Sequence, residues 1–410
     1  MDQHIVIAGG GQAAVTCIMR LRALGHEAKV TLVTNESYLP YQRPPLSKQY
    51  LKAEMTLEQL IFQPAAWYQQ QQVDVMLETA LAAIHPHDHK ITLSNGGQPG
   101  YDKLVLTLGA IPLRLPAAIG GDLDNVFTIR DVPDVDAIAN VLKARSRVLI
   151  VGGGYIGLEA AAVTRQTGAE VTLLESRERI LARVASEQTA AYFTAIHRGQ
   201  GVDIRTSASL AELEGKEGKV VAARLSDGES IAVDLVLVGI GIRPNSELAG
   251  QAGLGIDNGI LVNEYCQTSN DDIYAAGDCA SFSRSNEVIR LESVQNANAQ
   301  SEVIAQNLCG NSKTNTTTPW FWSDQYDVKL QIAGLNNGFD QIVERVGEKP
   351  GARSFWYYRD GQLIAVDAIN EPGAFSVARR ALDLGKNISQ DEVADQYIPL
   401  KQIMKSLANR

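Results

Sequence analysis

The chain has 410 residues, 45% of them hydrophobic and 20% charged, and a formal net charge of −10. That length suits two or three domains. The acidic balance disfavours nucleic acid as a partner, and no apolar run approaches the roughly 20 residues of a membrane span. The first strand-like run begins at His4, so we expect no leader or transit peptide ahead of it and a cytoplasmic setting. Cys17, Cys266, Cys279 and Cys309 have no CxxC or metal-ligand spacing and are expected as reduced thiols. His85, His87 and His89 alternate in one short stretch; we read a turn with exposed imidazoles there and expect no metal site.

The first element is the apolar run Ile5-Val6-Ile7-Ala8, as in a strand buried on both faces. Gly9, Gly10 and Gly11 follow, and Ala14, Ile18 and Leu21 then recur at helical spacing. A strand, a glycine turn and a helix N-terminus together make a pyrophosphate cradle. The glycines let the backbone approach the phosphates, and the helix presents N–H groups and its positive dipole end. Gly9 and Gly11 take the first two glycine positions, and Ala14 takes the third, where alanine is a permitted variant. The second strand of the unit is Val30 to Val33, followed by Asn35 and Glu36.

Pro40, Pro44 and Pro45 forbid regular helix through the next stretch, and Ser47 and Lys48 open a short helix reaching Leu51. A rigid segment rich in Tyr, Pro and Lys, just after a nucleotide strand, suits a cofactor-facing role; an ordinary surface loop is the alternative. Val73 to Leu77, Lys90 to Leu93 and Tyr101 to Gly109 read as strands, and Pro112 to Pro116 as a crossing between domains.

The glycine pattern then returns. Val148 to Val151 leads into Gly152, Gly154 and Gly157, the full GxGxxG, and the strand Val171 to Leu174 ends on Glu175. That carboxylate falls roughly 20 residues past the glycines, where an acid bonds a ribose 2′-hydroxyl. Two matching units in one chain point to FAD in one and a nicotinamide nucleotide in the other. Leu235 to Gly241 is a strand finished by glycines, and Arg243-Pro244-Asn245 marks the return crossing. Ile256 to Val262 is predicted as a hairpin around Asn258-Gly259. Ile273 to Cys279 delivers Asp278 at a glycine turn, and Glu292 to Leu308 has helical spacing. After the polar linker Thr314 to Thr318, aromatics cluster at Trp320, Phe321, Trp322 and Tyr326, and a helix follows from Ala374.

The two glycine motifs, the string LPYQRPPLSK, the strand ending Ala276-Gly277-Asp278 and PWFWSDQY at 319–326 resemble the flavoprotein ferredoxin reductases of oxygenase systems. These are the putidaredoxin reductase and biphenyl dioxygenase reductase type of the glutathione-reductase-like superfamily, and the likeness runs from Ile5 to about Leu400. It implies an α/β fold with two Rossmann-like dinucleotide-binding domains, for FAD and NAD, and a C-terminal α+β interface domain. The expected division is 1–112 and 243–318 for FAD, 113–242 for NAD and 319–410 for the interface domain. It also implies electron transfer from NADH through FAD to a [2Fe–2S] ferredoxin, serving a cytochrome P450 or Rieske-type oxygenase, by a monomer or weak dimer.

Residue by residue, the resemblance places Ala13, Asn35, Lys48, Leu81, Arg130, Asp278 and Val294 at the FAD, with Glu36, Arg43 and Trp320 beside them. Ala13 would lend an N–H to the pyrophosphate and Asp278 would accept a ribityl hydroxyl. Val294 would bring a helix N-terminus to the flavin edge where charge develops. Lys48 would sit near flavin N5 or O4, paired with Glu159, and these two are the catalytic candidates. Tyr155, Ile156 and Gly241 would join Gly152, Gly154, Gly157 and Glu175 at the nicotinamide nucleotide. Relatives that work through a thiol need one beside the flavin, and no cysteine lies between Cys17 and Cys266. A cysteine-independent NADH oxidase, an apoptosis-inducing-factor-like flavoprotein and a nucleotide-binding regulator stay open as alternatives. Arg379, Arg380, Lys386, Lys401 and Lys405 are candidates for a local basic docking patch.

Overall fold

The computed structural model describes residues 3–284 and 287–409. The chain forms two compact units, one of Met1–Gln42, Thr56–Ile111 and Arg243–Thr317, the other of Arg43–Met55, Pro112–Ile242 and Thr318–Arg410.

The first unit is built on a five-stranded parallel sheet, in the order Ile273–Ala275, Lys103–Leu106, His4–Ala8, Lys29–Val33 and Val73–Met76. Its strands read as apolar runs because both faces are covered. Ile5 and Ile7 face the helix Gln12–Ala23 and pack with Ala14, Cys17, Ile18 and Leu21. Val6 and Ala8 face the other side, with Ile84, Ile91 and Phe282. Each such side chain contributes about 1.5–3 kcal/mol on burial, so the alternation along one strand ties two cores to one sheet. The helix Val294–Leu308 lies against Gln12–Ala23 and adds Val303, Ile304 and Leu308 to the first core.

One expected element is different. Asn258 and Gly259 do make a tight turn, with Asp257 N–H donating to Gly259 O at 2.9 Å. The chain folds back there, with Ile256 and Ile260 paired antiparallel and Leu261 N–H donating to Gly255 O at 2.9 Å, but the strand Ile260–Val262 has a second, longer pairing. It runs parallel to Ala280–Arg284, and Gly259, at φ +143°, is pressed against Ser281 and Cys279 of that neighbour.

The second unit holds its own parallel sheet, in the order Asp203–Thr206, Glu170–Glu175, Arg147–Val151, Leu235–Val238 and Val126–Phe127. It also holds a five-stranded antiparallel sheet, in the order Trp320–Gln325, Val328–Gly334, Gln362–Ile369, Arg353–Arg359 and Gln341–Val346. The helix Pro372–Asp383 turns Ala374, Phe375, Val377, Ala378 and Ala381 toward Trp356, Tyr358, Val366 and Ala368 of that sheet. Among the described residues no helix is long and apolar enough to cross a membrane.

Candidate functional site

The first glycine turn follows directly from strand register. Ala8 pairs with Val33, and Gly9 N–H donates to Val33 O at 2.8 Å. Gly9 has φ +110°, and a Cβ there would strike the carbonyl of Thr107, so only glycine fits. Thr107 donates its hydroxyl to Ala8 O and Gly9 O at 3.0 and 2.9 Å. Gly11 begins the helix without a side-chain cap, and a Cβ on it would meet nothing within 4 Å. The first helical N–H groups therefore look onto open space, as an approaching phosphate requires. Ala14, by contrast, is fully buried in the core, where a methyl packs well.

The second turn repeats this geometry. Val151 pairs with Leu174, Gly152 N–H donates to Leu174 O at 2.8 Å, and Gly152 has φ +112° against Gly239 O. Gly154 again faces open space. Gly157 differs from Ala14, because a Cβ there would strike Gly152 O; the helix Tyr155–Gln166 sits closer to its turn. Glu175 accepts from Gly153 N–H and Arg177 N–H, both at 2.9 Å. Counting on from the paired strands, the residue that corresponds to Glu175 in the first turn is Thr34, one place before Asn35. A Cβ on Gly10 would strike the Thr34 side chain, as one on Gly153 would crowd Glu175. Thr34 is small and uncharged, and the sequence reading passed over it because the acidic pattern drew attention to Asn35 and Glu36. Glu36 is held by Tyr41, whose hydroxyl donates to it at 2.5 Å.

Within the first unit, the helix Val294–Leu308 gathers several expected residues. Ser293 caps it, accepting from Asn296 N–H at 3.1 Å. Ser301 donates to Ala13 O at 2.8 Å, and Asn298 accepts from Thr16 and Gln12. Gln300 accepts from Gly277 N–H at 2.8 Å, holding the turn that carries Asp278. Ala13, Asp278 and the Val294 helix end are thus brought together. Buried Gln300 Nε2 and Gln295 Oε1 have no hydrogen-bond partner among the described residues, which suits a polar ligand there. Leu81 lies on a separate short strand and packs on the second core.

Arg43, Lys48, Arg130 and Trp320 belong to the second unit. Arg43 donates to Arg130 O at 2.8 Å, and Arg130 N–H to Asp134 at 3.0 Å. Trp320 packs against Phe375 and lies under the Arg379 guanidinium, 5.1 Å from its ring centre. Tyr155 packs on Phe321 with ring centres 4.9 Å apart and the rings tilted by 44°, and its buried hydroxyl has no hydrogen-bond partner among the described residues. Ile156 is 49% exposed on the first turn of its helix. Gly241 has φ +123°, beside Leu113 and Arg183.

The short helix expected from Ser47 appears as a wide turn over Leu46–Tyr50, in which Tyr50 N–H reaches back to Pro45 O, and it is kinked at Lys48, whose φ −136° and ψ −107° are not helical. The turn carries Lys48 against the helix Tyr155–Gln166. Lys48 Nζ lies 2.5 Å from Glu159 Oε2, with side chains only 12% and 4% exposed. Ser47 donates to the same oxygen at 3.0 Å. The other oxygen, Oε1, accepts from Ser323 at 2.8 Å. Ser323 is a partner that the sequence reading missed, since 164 positions separate it from Glu159. The four thiols are free and are not poised for redox chemistry. Burial pushes Cys17 up to about 12 and Cys279 up to about 11, and raises Cys266 and Cys309, so the thiolate is scarce.

Residues 3–301 match the model of the pyridine nucleotide-disulphide oxidoreductase family, and residues 320–404 match the reductase C-terminal family. The chain belongs to the first family and carries the second as its C-terminal part. It is 39% identical over 409 residues to a ferredoxin–NAD(P)(+) reductase of Sphingomonas sp, covering 98% of each chain. It is 38% identical to putidaredoxin reductase of Pseudomonas putida, covering 98% of this chain and 97% of that one. A crystal structure of the covalent putidaredoxin reductase–putidaredoxin complex matches with TM-score 0.96 and 37% identity over the full length of both chains. FAD and NAD(H) are the cofactors of this oxidoreductase family, and the two open glycine turns have the shape and donors to cradle a pyrophosphate each.

Proposed function

We propose that the chain is an NADH-dependent ferredoxin reductase that supplies an oxygenase. The observation that carries this is full-length likeness to ferredoxin and putidaredoxin reductases, joined in this chain to a buried Lys48–Glu159 pair and unreactive thiols. FAD, when bound, takes a hydride from NADH and yields its electrons singly to a one-electron carrier. The acceptor is a [2Fe–2S] ferredoxin, and the enzyme acts in the cytoplasm as a monomer or weak dimer.

The chain's own residues have separate tasks. Gly9, Gly11 and Ala13 cradle the FAD pyrophosphate, with buried Ala14 packing the helix behind them; Asn35 and Glu36, with Thr34, stand at its adenosine end. Asp278, the helix end at Val294 and Leu81 are assigned to the ribityl and flavin groups, and Arg43, Arg130 and Trp320 are assigned to the same cofactor by the family likeness. Gly152, Gly154, Tyr155, Ile156, Gly157 and Gly241 receive NADH, and Glu175 accepts from its ribose. Lys48, held by Glu159, presents an ammonium to the flavin edge. Residues 1–112 and 243–318 form the FAD domain, 113–242 the NADH domain and 319–410 the interface domain.

The test is NADH consumption in air with and without an added [2Fe–2S] ferredoxin. Turnover that rises steeply with ferredoxin is the expected result. Turnover that is fast without ferredoxin and indifferent to it points to an NADH oxidase instead.

A further inference from the structure

Glu159 is the end of a longer buried chain of hydrogen bonds. Ser323 Oγ lies 2.8 Å from Glu159 Oε1, and Gln325 Nε2 lies 3.2 Å from Ser323 Oγ. His197 Nε2 lies 2.8 Å from Gln325 Oε1, and Tyr326 OH lies 3.3 Å from His197 Nδ1. Ser323, Gln325 and His197 are all fully buried, and all belong to the second unit.

The direction of every bond in this chain follows from the carboxylate. A carboxylate only accepts, so the single hydroxyl proton of Ser323 is committed to Glu159. Ser323 must then accept from Gln325, which turns the amide NH2 toward it. That leaves Gln325 Oε1 facing His197, which must carry its proton on Nε2. Nδ1 is left to accept from Tyr326. Burial lowers the His197 pKa from its ordinary value, in keeping with a neutral ring. The other titratable group facing it is Tyr326, itself pushed up to about 12 by burial, with Arg165 acting on that phenol.

Resting on the reading that Lys48 and Glu159 stand at the flavin, we propose that His197 is a positioning residue for the reaction, its tautomer coupled to the charge on Glu159 through Gln325 and Ser323. With Oε1 occupied by Ser323, the carboxylate presents Oε2 to Lys48 and Ser47. A neutral group at Glu159 reverses the chain. In Glu159→Gln the amide oxygen stays with Lys48 and the NH2 faces Ser323. Ser323 then donates to Gln325, the Gln325 amide turns over, and the His197 proton moves from Nε2 to Nδ1.

The experiment reads imidazole nitrogens by NMR in the FAD-loaded protein, labelled at its six histidines, with the His197 signals assigned by their loss in His197→Gln. The expected result is a neutral Nε2–H ring in the wild type and a neutral Nδ1–H ring in Glu159→Gln. An Nδ1–H ring in the wild type, a ring that titrates freely near pH 6.5, or a tautomer unchanged in Glu159→Gln overturns the coupling. A second arm follows NADH reduction of the bound flavin across pH. His197→Leu should slow it several-fold and move its pH profile, and His197→Gln, which restores a donor where Nε2 stood, should recover both. An effect of Lys48→Met with none from His197→Leu overturns the role of His197 alone. No effect from Lys48→Met overturns the placement of the pair at the flavin, and the role of His197 with it.

Discussion

Glu175 and Lys48 show how single side chains are recruited in different ways. Glu175 closes its own nucleotide unit, bonded to Gly153 and Arg177 N–H. It can accept from a ribose hydroxyl and would repel a 2′-phosphate. Glu175→Ala should therefore narrow the preference for NADH over NADPH about tenfold, read as the ratio of kcat/KM values. An unchanged ratio would move specificity to Arg177 or Arg179. Lys48 depends on partners far away in the chain. Removing one member of a largely buried ion pair costs roughly 3–5 kcal/mol, so Lys48→Met and Glu159→Gln should each slow flavin reduction by NADH. Their combination should cost less than the sum; strict additivity would say that the two act separately. The glycine turns were legible because their spacing is local and each position has a steric reason. Ser323, Gln325 and His197 were not, because 164 and 128 positions separate the bonded partners. Resemblance alone paired Lys48 with Glu159.

Elements were legible where a repeat carried them. The first parallel sheet and the three central strands of the second were legible, as was the helix Val294–Leu308 by its periodic pattern, whereas the outer strands Asp203–Thr206 and Val126–Phe127 were not. The wide turn at Leu46–Tyr50 and the parallel strand after Gly259 were hidden, since what decides them is a neighbour rather than a propensity. The antiparallel sheet carries a further buried acid with a measurable consequence. Asp367, on the strand Gln362–Ile369, accepts from Tyr357 OH at 2.5 Å and Thr189 Oγ1 at 2.7 Å, while Oδ1 has no partner among the described residues. Burial pushes its carboxyl up to about 6. An unfolded Asp ionises near 3.9, so the folded protein binds this proton more tightly. Stability from this group is therefore full below about pH 4 and is lost as pH rises toward 6, on the order of 3 kcal/mol in all. Asp367→Asn should remove that loss. Thermal unfolding should show the variant gaining on the wild type between pH 4 and 6, with the difference level above. A difference that stays constant across that range would place the ionisation elsewhere.

At the scale of the whole molecule the charge of −10 gives no general attraction for an acidic ferredoxin, so docking has to be local. Of the basic candidates, Lys386 is already used, donating to Leu407 O at 2.7 Å. Arg379 is stacked on Trp320 and lies 3.8 Å from Asp383. Arg380, Lys401 and Lys405 remain exposed, and a patch of this kind affects the on-rate more than the contact energy. Charge reversal at these three should lower kcat/KM for ferredoxin and flatten its salt dependence, leaving flavin reduction by NADH unchanged. Equal salt dependence in variant and wild type would place docking on another face.

The most direct test of the whole account is an anaerobic stopped-flow titration that follows flavin and ferredoxin absorbance together. The expected result is flavin bleaching by NADH first, then two ferredoxins reduced for each NADH consumed. Ferredoxin reduced no faster than in the absence of enzyme, while NADH still bleaches the flavin, would contradict it.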